Sequence, residues 1–233
     1  MKGRNLYKDI VIGGVLVFLA VFCVNLWKDY RKEQQTWGFY IQRDRELTEK
    51  TAEQLRNISG LCRFEPSSSV RVTLQLEEFT LETGLTGVDL ESYPLEWKKA
   101  DETFSPGNTS ALFFGKDMFQ MFSDKHGYSP DNGQIKIWMD EYQNLTLSIT
   151  DEKGHVKKGR ISGILKHPAE GIFMDKRQME EIFRQSCQAT GGYLEVYGYR
   201  NMKKARDELE GGGFLVEELI FRKHNITVCG GHP

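Results

Sequence analysis

Only four of the 233 residues are cysteine and six are proline, and neither sign of charge prevails. Lys and Arg number 31 against 33 Asp and Glu, a net charge of −2. A nucleic-acid-binding domain concentrates its basic residues on one face or stripe. No such stripe is present, so no nucleic-acid partner is expected. Also lacking are a glycine-rich phosphate loop, a His-Glu-x-x-His pair and a Gly-x-Ser-x-Gly elbow. Ser, His and Asp occur in any chain of this length and mean little without geometry. The sequence therefore offers no basis for catalytic, cofactor-binding or metal-ligating residues. No cofactor is expected, and the chain is read as a non-enzyme. Disorder is not expected, because 12% aromatic residues supply material for a core.

What is present is one long apolar run. Ile10 to Trp27 reads IVIGGVLVFLAVFCVNLW, 18 residues with no charge and one Asn. A helix needs roughly 20 residues to cross the hydrocarbon core. Tyr7 and Trp27 flank the run, as amphipathic rings do at headgroup level. A core helix would carry a polar stripe, and this segment has none. The competing reading is a cleaved signal peptide, with Lys2 and Arg4 as its basic start. Against it, the run is long and no small-x-small cleavage site follows. An uncleaved anchor is expected. Lys2, Arg4 and Lys8 before it nearly balance Lys28, Arg31 and Lys32 after it, so charge alone does not orient it. The short N-terminal tail favours residues 1–9 inside and the long C-terminal part outside the cytoplasm.

Cys23 falls in the apolar run, leaving Cys62, Cys187 and Cys229, an odd number that allows one disulfide without saying which. Sequons at Asn57, Asn108, Asn144 and Asn225 matter only in a eukaryotic secretory pathway. His224, Cys229 and His232 have zinc-ligand chemistry, but a structural site needs four ligands, and a terminal tail is the blander reading. Gly211-Gly212-Gly213 follows a helical pattern, so it reads as a helix stop and not as a nucleotide loop. Phe113, Phe114, Phe119 and Phe122 lie at core spacing.

Residues 28–58 are polar, with a thin stripe of Tyr40, Leu47, Leu55 and Ile58, and predict a helical stalk. A loop is expected at 65–69. Strands follow at 70–76, 80–90, 111–114, 134–139, 144–150 and 159–165, with a turn at Glu152-Lys153-Gly154. Gly115 is read as opening a helix that carries Met118, Phe119 and Phe122. Asp175 with Gln178 three residues on reads as a helix start, the helix running to about Gln188. Tyr193–Tyr197, Asn201–Leu209 and Phe214–Val216 read as strand, helix, strand, a split β-α-β element. The expected class is α+β: an N-terminal transmembrane helix (10–27), a helical stalk (28–58), an extracytoplasmic mixed α/β domain (70–221) and a C-terminal tail (222–233).

Several short segments carry a resemblance. Leu85-Thr86-Gly87-Val88-Asp89-Leu90-Glu91-Ser92-Tyr93-Pro94, Ala111–Met118, Gly159–Leu165, Ile172–Asp175 and the closing β-α-β occur in an order similar to the extracytoplasmic core domain of MacB/FtsX-type ABC transporter permeases. The match covers roughly residues 70 to 217 and rests on order and short motifs. Those permeases carry three further membrane helices after the domain, whereas no second apolar stretch here is long enough to span. The resemblance thus implies an accessory or split subunit of an ABC-type export or mechanotransmission system. Its partners would be the bilayer and a permease with its ATPase, or another membrane protein. The alternative from a different class is an extracytoplasmic ligand sensor or enzyme whose site the sequence does not advertise.

Overall fold

The computed structural model describes residues 3–43, 45–100, 110–184 and 187–219, with side chains described from residue 17 to residue 217 within those ranges. His224, Cys229, His232, Asn108, Asn225 and the 222–233 tail lie outside the described residues. α1 (Gly3–Glu33) contains the whole apolar run. It is followed by β1 (Thr36–Gln42), α2 (Glu49–Arg56), β2 (Leu61–Leu76), β3 (Phe79–Val88), β4 (Glu96–Ala100) and β5 (Ser110–Gly115). Next come α3 (Asn132–Asp140), β6 (Thr146–Asp151), β7 (Val156–His167), β8 (Ile172–Asp175), α4 (Lys176–Phe183), β9 (Gly191–Tyr197), α5 (Tyr199–Gly211) and β10 (Leu215–Leu219).

Two units share the long strand β2. Its first half, Leu61 to Ser67, pairs with β9 in a four-stranded antiparallel sheet of order β10-β1-β9-β2. Its second half pairs with β3 on one side and β6 on the other. From there β3 pairs β8, β8 pairs β5, β5 pairs β7, and β7 returns to β6. These six strands close on themselves, which leaves the ring no free edge. The ring encloses Leu74, Leu85, Leu112, Phe114, Ile149, Ile161 and Ile172. A separate core lies under the sheet, where Trp37, Phe39, Leu194 and Val196 meet Leu55, Met202, Ala205 and Leu209 of α2 and α5.

The mixed α/β class and the closing split β-α-β agree with the sequence reading. β9 and β10 both run antiparallel to β1, which lies between them. Asp175 caps α4 through Arg177 N and Gln178 N. The side chain of Gln178 does not reach back to the cap; it accepts from Ala111 N on β5 at 3.1 Å. Gly213, at φ +78°, supplies the left-handed residue after α5.

Five local expectations are corrected. The 28–58 stretch is not one helix: α1 stops at Glu33, and Thr36–Gln42 is a strand inside the four-stranded sheet. Trp37-Gly38-Phe39-Tyr40-Ile41 is a run of strand-forming residues buried on both faces, so it lacks the alternation that marks a half-exposed strand. Residues 134–139 are helical in α3, because Asp131 accepts from Gln134 N and only Trp138 is fully buried. Ile135, Ile137 and Met139 fit period two, but the face that packs is Ile135, Trp138 and Met139, at helical spacing. The 65–69 loop is part of β2. Pro66 is tolerated because β3 pairing begins only at Ser68, leaving that half of the strand bordered by β9 alone. Residues Met118–Met121 form one 3-10 turn, and the α4 helix ends at Phe183, where Arg184 is left-handed.

α1 leaves the domain from beside α5. Every described side chain from Val17 to Lys32 is exposed. The last turn and the two residues after it meet the fold: Glu33 pairs with Arg200 at 3.4 Å and accepts from Arg200 N, Tyr197 Oη donates to Gln34 at 2.5 Å, and the Gln35 carbonyl accepts from Gly198 N at 2.9 Å. Gly198 offers α5 no side-chain cap, so the Glu33 carboxylate serves that end from another element. Among the described residues no helix is long and apolar enough to cross a membrane; the side chains of Ile10–Leu16 lie outside them.

Candidate functional site

The two units meet on an aromatic cluster. Tyr40 on β1 and Tyr193 on β9 project from the face of the sheet opposite its helices, and meet Phe173 on β8 and Tyr93 after β3. Ring centroids lie 5.2 Å apart for Tyr40 and Tyr193, 5.8 Å for Tyr40 and Tyr93, and 6.2 Å for Tyr93 and Phe173. Tyr93 is carried in by the turn at Asp89, whose carbonyl accepts from Tyr93 N at 2.8 Å. Arg63 on β2 holds the same turn by donating to the Ser92 carbonyl and pairing with Glu65 at 2.9 Å. The Gly87-Val88-Asp89-Tyr93-Pro94 positions that carry the family resemblance thus form a latch between barrel and sheet: Val88 is fully buried there, and Tyr40 Oη donates to the Pro94 carbonyl.

Burial pushes the Tyr40 hydroxyl far above its ordinary range, with the neighbouring Tyr93 adding to it. Burial likewise raises Tyr93, and raises Tyr193 together with the Glu195 carboxylate that accepts its hydroxyl at 3.0 Å. All three tyrosines stay protonated, and Tyr40 and Tyr193 donate, to the Pro94 carbonyl and the Glu195 carboxylate.

Beside the cluster lies a cleft of about 420 Å³ between β1 and β10 on one wall and β3 and β8 on the other. Hydroxyls from Ser67, Ser69, Thr83 and Thr86 line it, along with Met118 and Phe173. Two carboxylates, Glu170 and Glu217, stand at its wall, and among the described residues no Lys or Arg does. The Thr190 hydroxyl oxygen is buried there without a hydrogen-bond partner. Desolvation raises the Glu217 carboxyl, Glu170 raises it further, and His167 opposes both. The arrangement can hold a polar or cationic group.

A raised carboxyl binds its proton more tightly in the folded state. Its effect on stability is absent below the unfolded value of 4.5 and becomes unfavourable as pH rises through the interval above it. Glu217→Gln is therefore expected to raise the thermal midpoint at pH 7 by roughly 1–3 °C, the range that up to about 1 kcal/mol produces for an exposed charge in a chain this size. At pH 4 the variant and wild type should coincide. A larger gain at pH 4 than at pH 7 would contradict the assigned direction.

Sequence reasoning named no site residue, and the cleft explains why: its walls come from five strands spread between residues 40 and 217. Among the described residues no group of three His, Cys, Asp or Glu is placed to hold a metal ion. Cys62 is disulfide-bonded, and Cys23 is exposed on α1. Burial raises the Cys187 thiol, and Glu180 adds to the shift, so it is not a thiolate nucleophile.

No family model and no curated protein matches the chain. Among solved structures it is similar to the extracellular domain of the ABC-type transporter YknZ from Gram-positive bacteria. The identity is 14% and the TM-score 0.38, over 78% of this chain and 99% of that one. It is also similar to the periplasmic region of MacB from Actinobacillus actinomycetemcomitans, at 11% identity and TM-score 0.38, over 79% of this chain and 89% of that one. The first is the extracellular domain of an ABC-type transporter and the second a periplasmic region.

Proposed function

We propose that the chain is a membrane-anchored, non-enzymatic accessory or split subunit of an ABC-type export or mechanotransmission system. It acts through contacts of its extracytoplasmic domain, with the N-terminus in the cytoplasm. The observation that carries the reading is α1. Its apolar side chains from Val17 to Trp27, such as Phe18, Leu19 and Phe22, are 48–69% exposed. An exposed apolar surface of this kind marks a membrane or partner site. The uncharged run of 18 residues that includes them has nearly the length a spanning helix needs.

The junction with α5 supports a mechanical role. Because α1 is a single helix held to the domain by Glu33, Gln34 and their partners, a displacement of the helix end reaches α5 and β9 directly. The order of motifs between residues 70 and 217 supports the permease-related setting. Mild-detergent capture of the tagged full-length chain, followed by mass spectrometry, tests the reading. Stoichiometric recovery of an ABC permease and its ATPase is expected. Recovery of the chain alone would remove the stable-complex reading.

The cleft favours one second reading, a ligand sensor. A roomy site with a raised carboxyl and an unpartnered hydroxyl is the usual form of a small-molecule site. On that reading the ligand would bridge β10 and β8 and change how the two units sit.

A further inference from the structure

We propose that the last turn of α1 and the first turn of α5 together form a docking surface for anionic phospholipid headgroups. The inference rests on the membrane-anchor reading and extends it to the domain itself. Tyr199 opens α5 and packs on Trp37 at 5.6 Å between ring centroids. Two ammonium groups lie over that one ring: Lys32 at 5.2 Å and Lys203 at 4.9 Å from its centroid. They are therefore within roughly one Debye length of each other, about 10 Å at 0.1 M salt, where like charges still repel. Arg31 stacks on Trp27 at 3.8 Å one turn below, and Arg200 completes the group. Lys28, Arg31, Lys32, Arg200 and Lys203 are all exposed. Of the two acids on this stretch of α1, Glu33 is paired with Arg200, and Asp29 makes no ion pair among the described residues.

The charges of α5 run against its own stability. Arg200, Lys203 and Lys204 crowd its first half, while Asp207, Glu208 and Glu210 fill its second, after Arg206. A helix macrodipole favours the reverse order at both ends. Arg206 is answered within the helix by Glu210 at 2.8 Å and Arg200 by Glu33, whereas an external anion would offset Lys203 and Lys204 near the N-terminus. Position agrees with charge. Trp27 ends the apolar run, and Arg31 and Lys32 lie four and five residues further, roughly 6–8 Å along the axis at 1.5 Å per residue. That distance matches the headgroup layer, since a bilayer of about 40–45 Å has a hydrocarbon core of about 30 Å. The basic half of α5 joins them at that level because Tyr199 and Arg200 are the residues in contact with the end of α1.

A basic residue near an anionic surface contributes about 1 kcal/mol, or roughly fivefold in affinity. The test is native mass spectrometry of the full-length chain released from micelles holding equal amounts of phosphatidylglycerol and phosphatidylcholine. Wild type should retain phosphatidylglycerol in at least about tenfold preference, and the double variant Lys32→Gln with Lys203→Gln should lose most of it, on the order of 25-fold. Lys153→Gln, on the distant β6–β7 turn, should keep the wild-type ratio. Alkaline carbonate extraction of the same membranes separates the two ideas. A carbonate-resistant chain that holds both lipids equally, or whose preference ignores the double substitution, overturns the docking surface alone. Release of the wild-type chain by carbonate overturns the anchor, whatever the lipid ratio.

Discussion

Replacing Trp138 with alanine is expected to lower stability by about 3–5 kcal/mol, the cost of removing a fully buried large aromatic side chain. Trp138 is the one fully buried side chain of α3. It joins that helix to the barrel core, packing edge-on against Phe79 at 5.3 Å and lying 6.0 Å from Phe122 and 6.3 Å from Phe119. Those rings come from β3 and from the 3-10 turn after β5, so one truncation loosens three segments. The indole nitrogen is buried without a hydrogen-bond partner. Trp138→Phe should therefore cost much less, about 1 kcal/mol or below, because removing an unsatisfied donor offsets part of the lost contact area. Urea denaturation of the full chain in detergent, followed by far-ultraviolet circular dichroism, measures both. If the alanine variant lost less than about 1 kcal/mol, Trp138 would not be what holds α3 on the barrel.

The second large effect is expected in the four-stranded sheet. Gly191 and Gly192 begin β9, where it is paired to β1 on one side and β2 on the other. A Cβ on Gly191 would overlap the Ile41 carbonyl oxygen and stand 3.0 Å from Gln42 Cα. On Gly192 it would overlap the Glu65 carbonyl oxygen and stand 3.1 Å from Pro66 Cα. Most of these neighbours are backbone, which cannot swing aside as a side chain would, so the strands themselves must part. Gly191→Ala should cost about 3 kcal/mol or more, at the upper end of overpacking. Gly211→Ala is the matched control. No atom lies within 4 Å of the new methyl, and the helical site should gain about 0.5–1 kcal/mol. Hydrogen exchange should report the Gly191 change as lost protection in β1, β9 and β10, with the barrel strands spared. Equal melting of Gly191→Ala and wild type would mean that the strands do not approach as closely as described.

The parts that were legible in the sequence are those whose signal is local. The Asp175 cap, the Gly154 turn at φ +81° and the strand-helix-strand ending each depend on residues within one or two turns of each other. α3 shows the limit of that approach. Ile135, Ile137 and Met139 satisfy period two while Ile135, Trp138 and Met139 satisfy the helical period, and the Asp131 cap together with the burial of Trp138 decided between them. β1 shows a second limit, because a strand covered on both faces has no alternation to read. The serines at 67 and 68 look like loop composition, yet both are buried in β2, and Ser68 Oγ donates to the Cys187 carbonyl 119 residues away at 2.8 Å. The cleft was invisible for the same reason, since Glu170 and Glu217 become neighbours only through strand pairing.

By itself the sequence determined the apolar run of α1, the mixed α/β class and the split β-α-β that closes the domain, because periodicity and caps act over a few residues and do not wait for the rest of the chain. Only the tertiary structure decided that β2 is shared between two units, that six strands close into a ring, that Tyr40, Tyr93 and Tyr193 latch the units together, and that Lys32 and Lys203 meet on one ring. Those arrangements depend on pairings between residues far apart in the chain, whose stability comes from burying surfaces that no local stretch possesses alone.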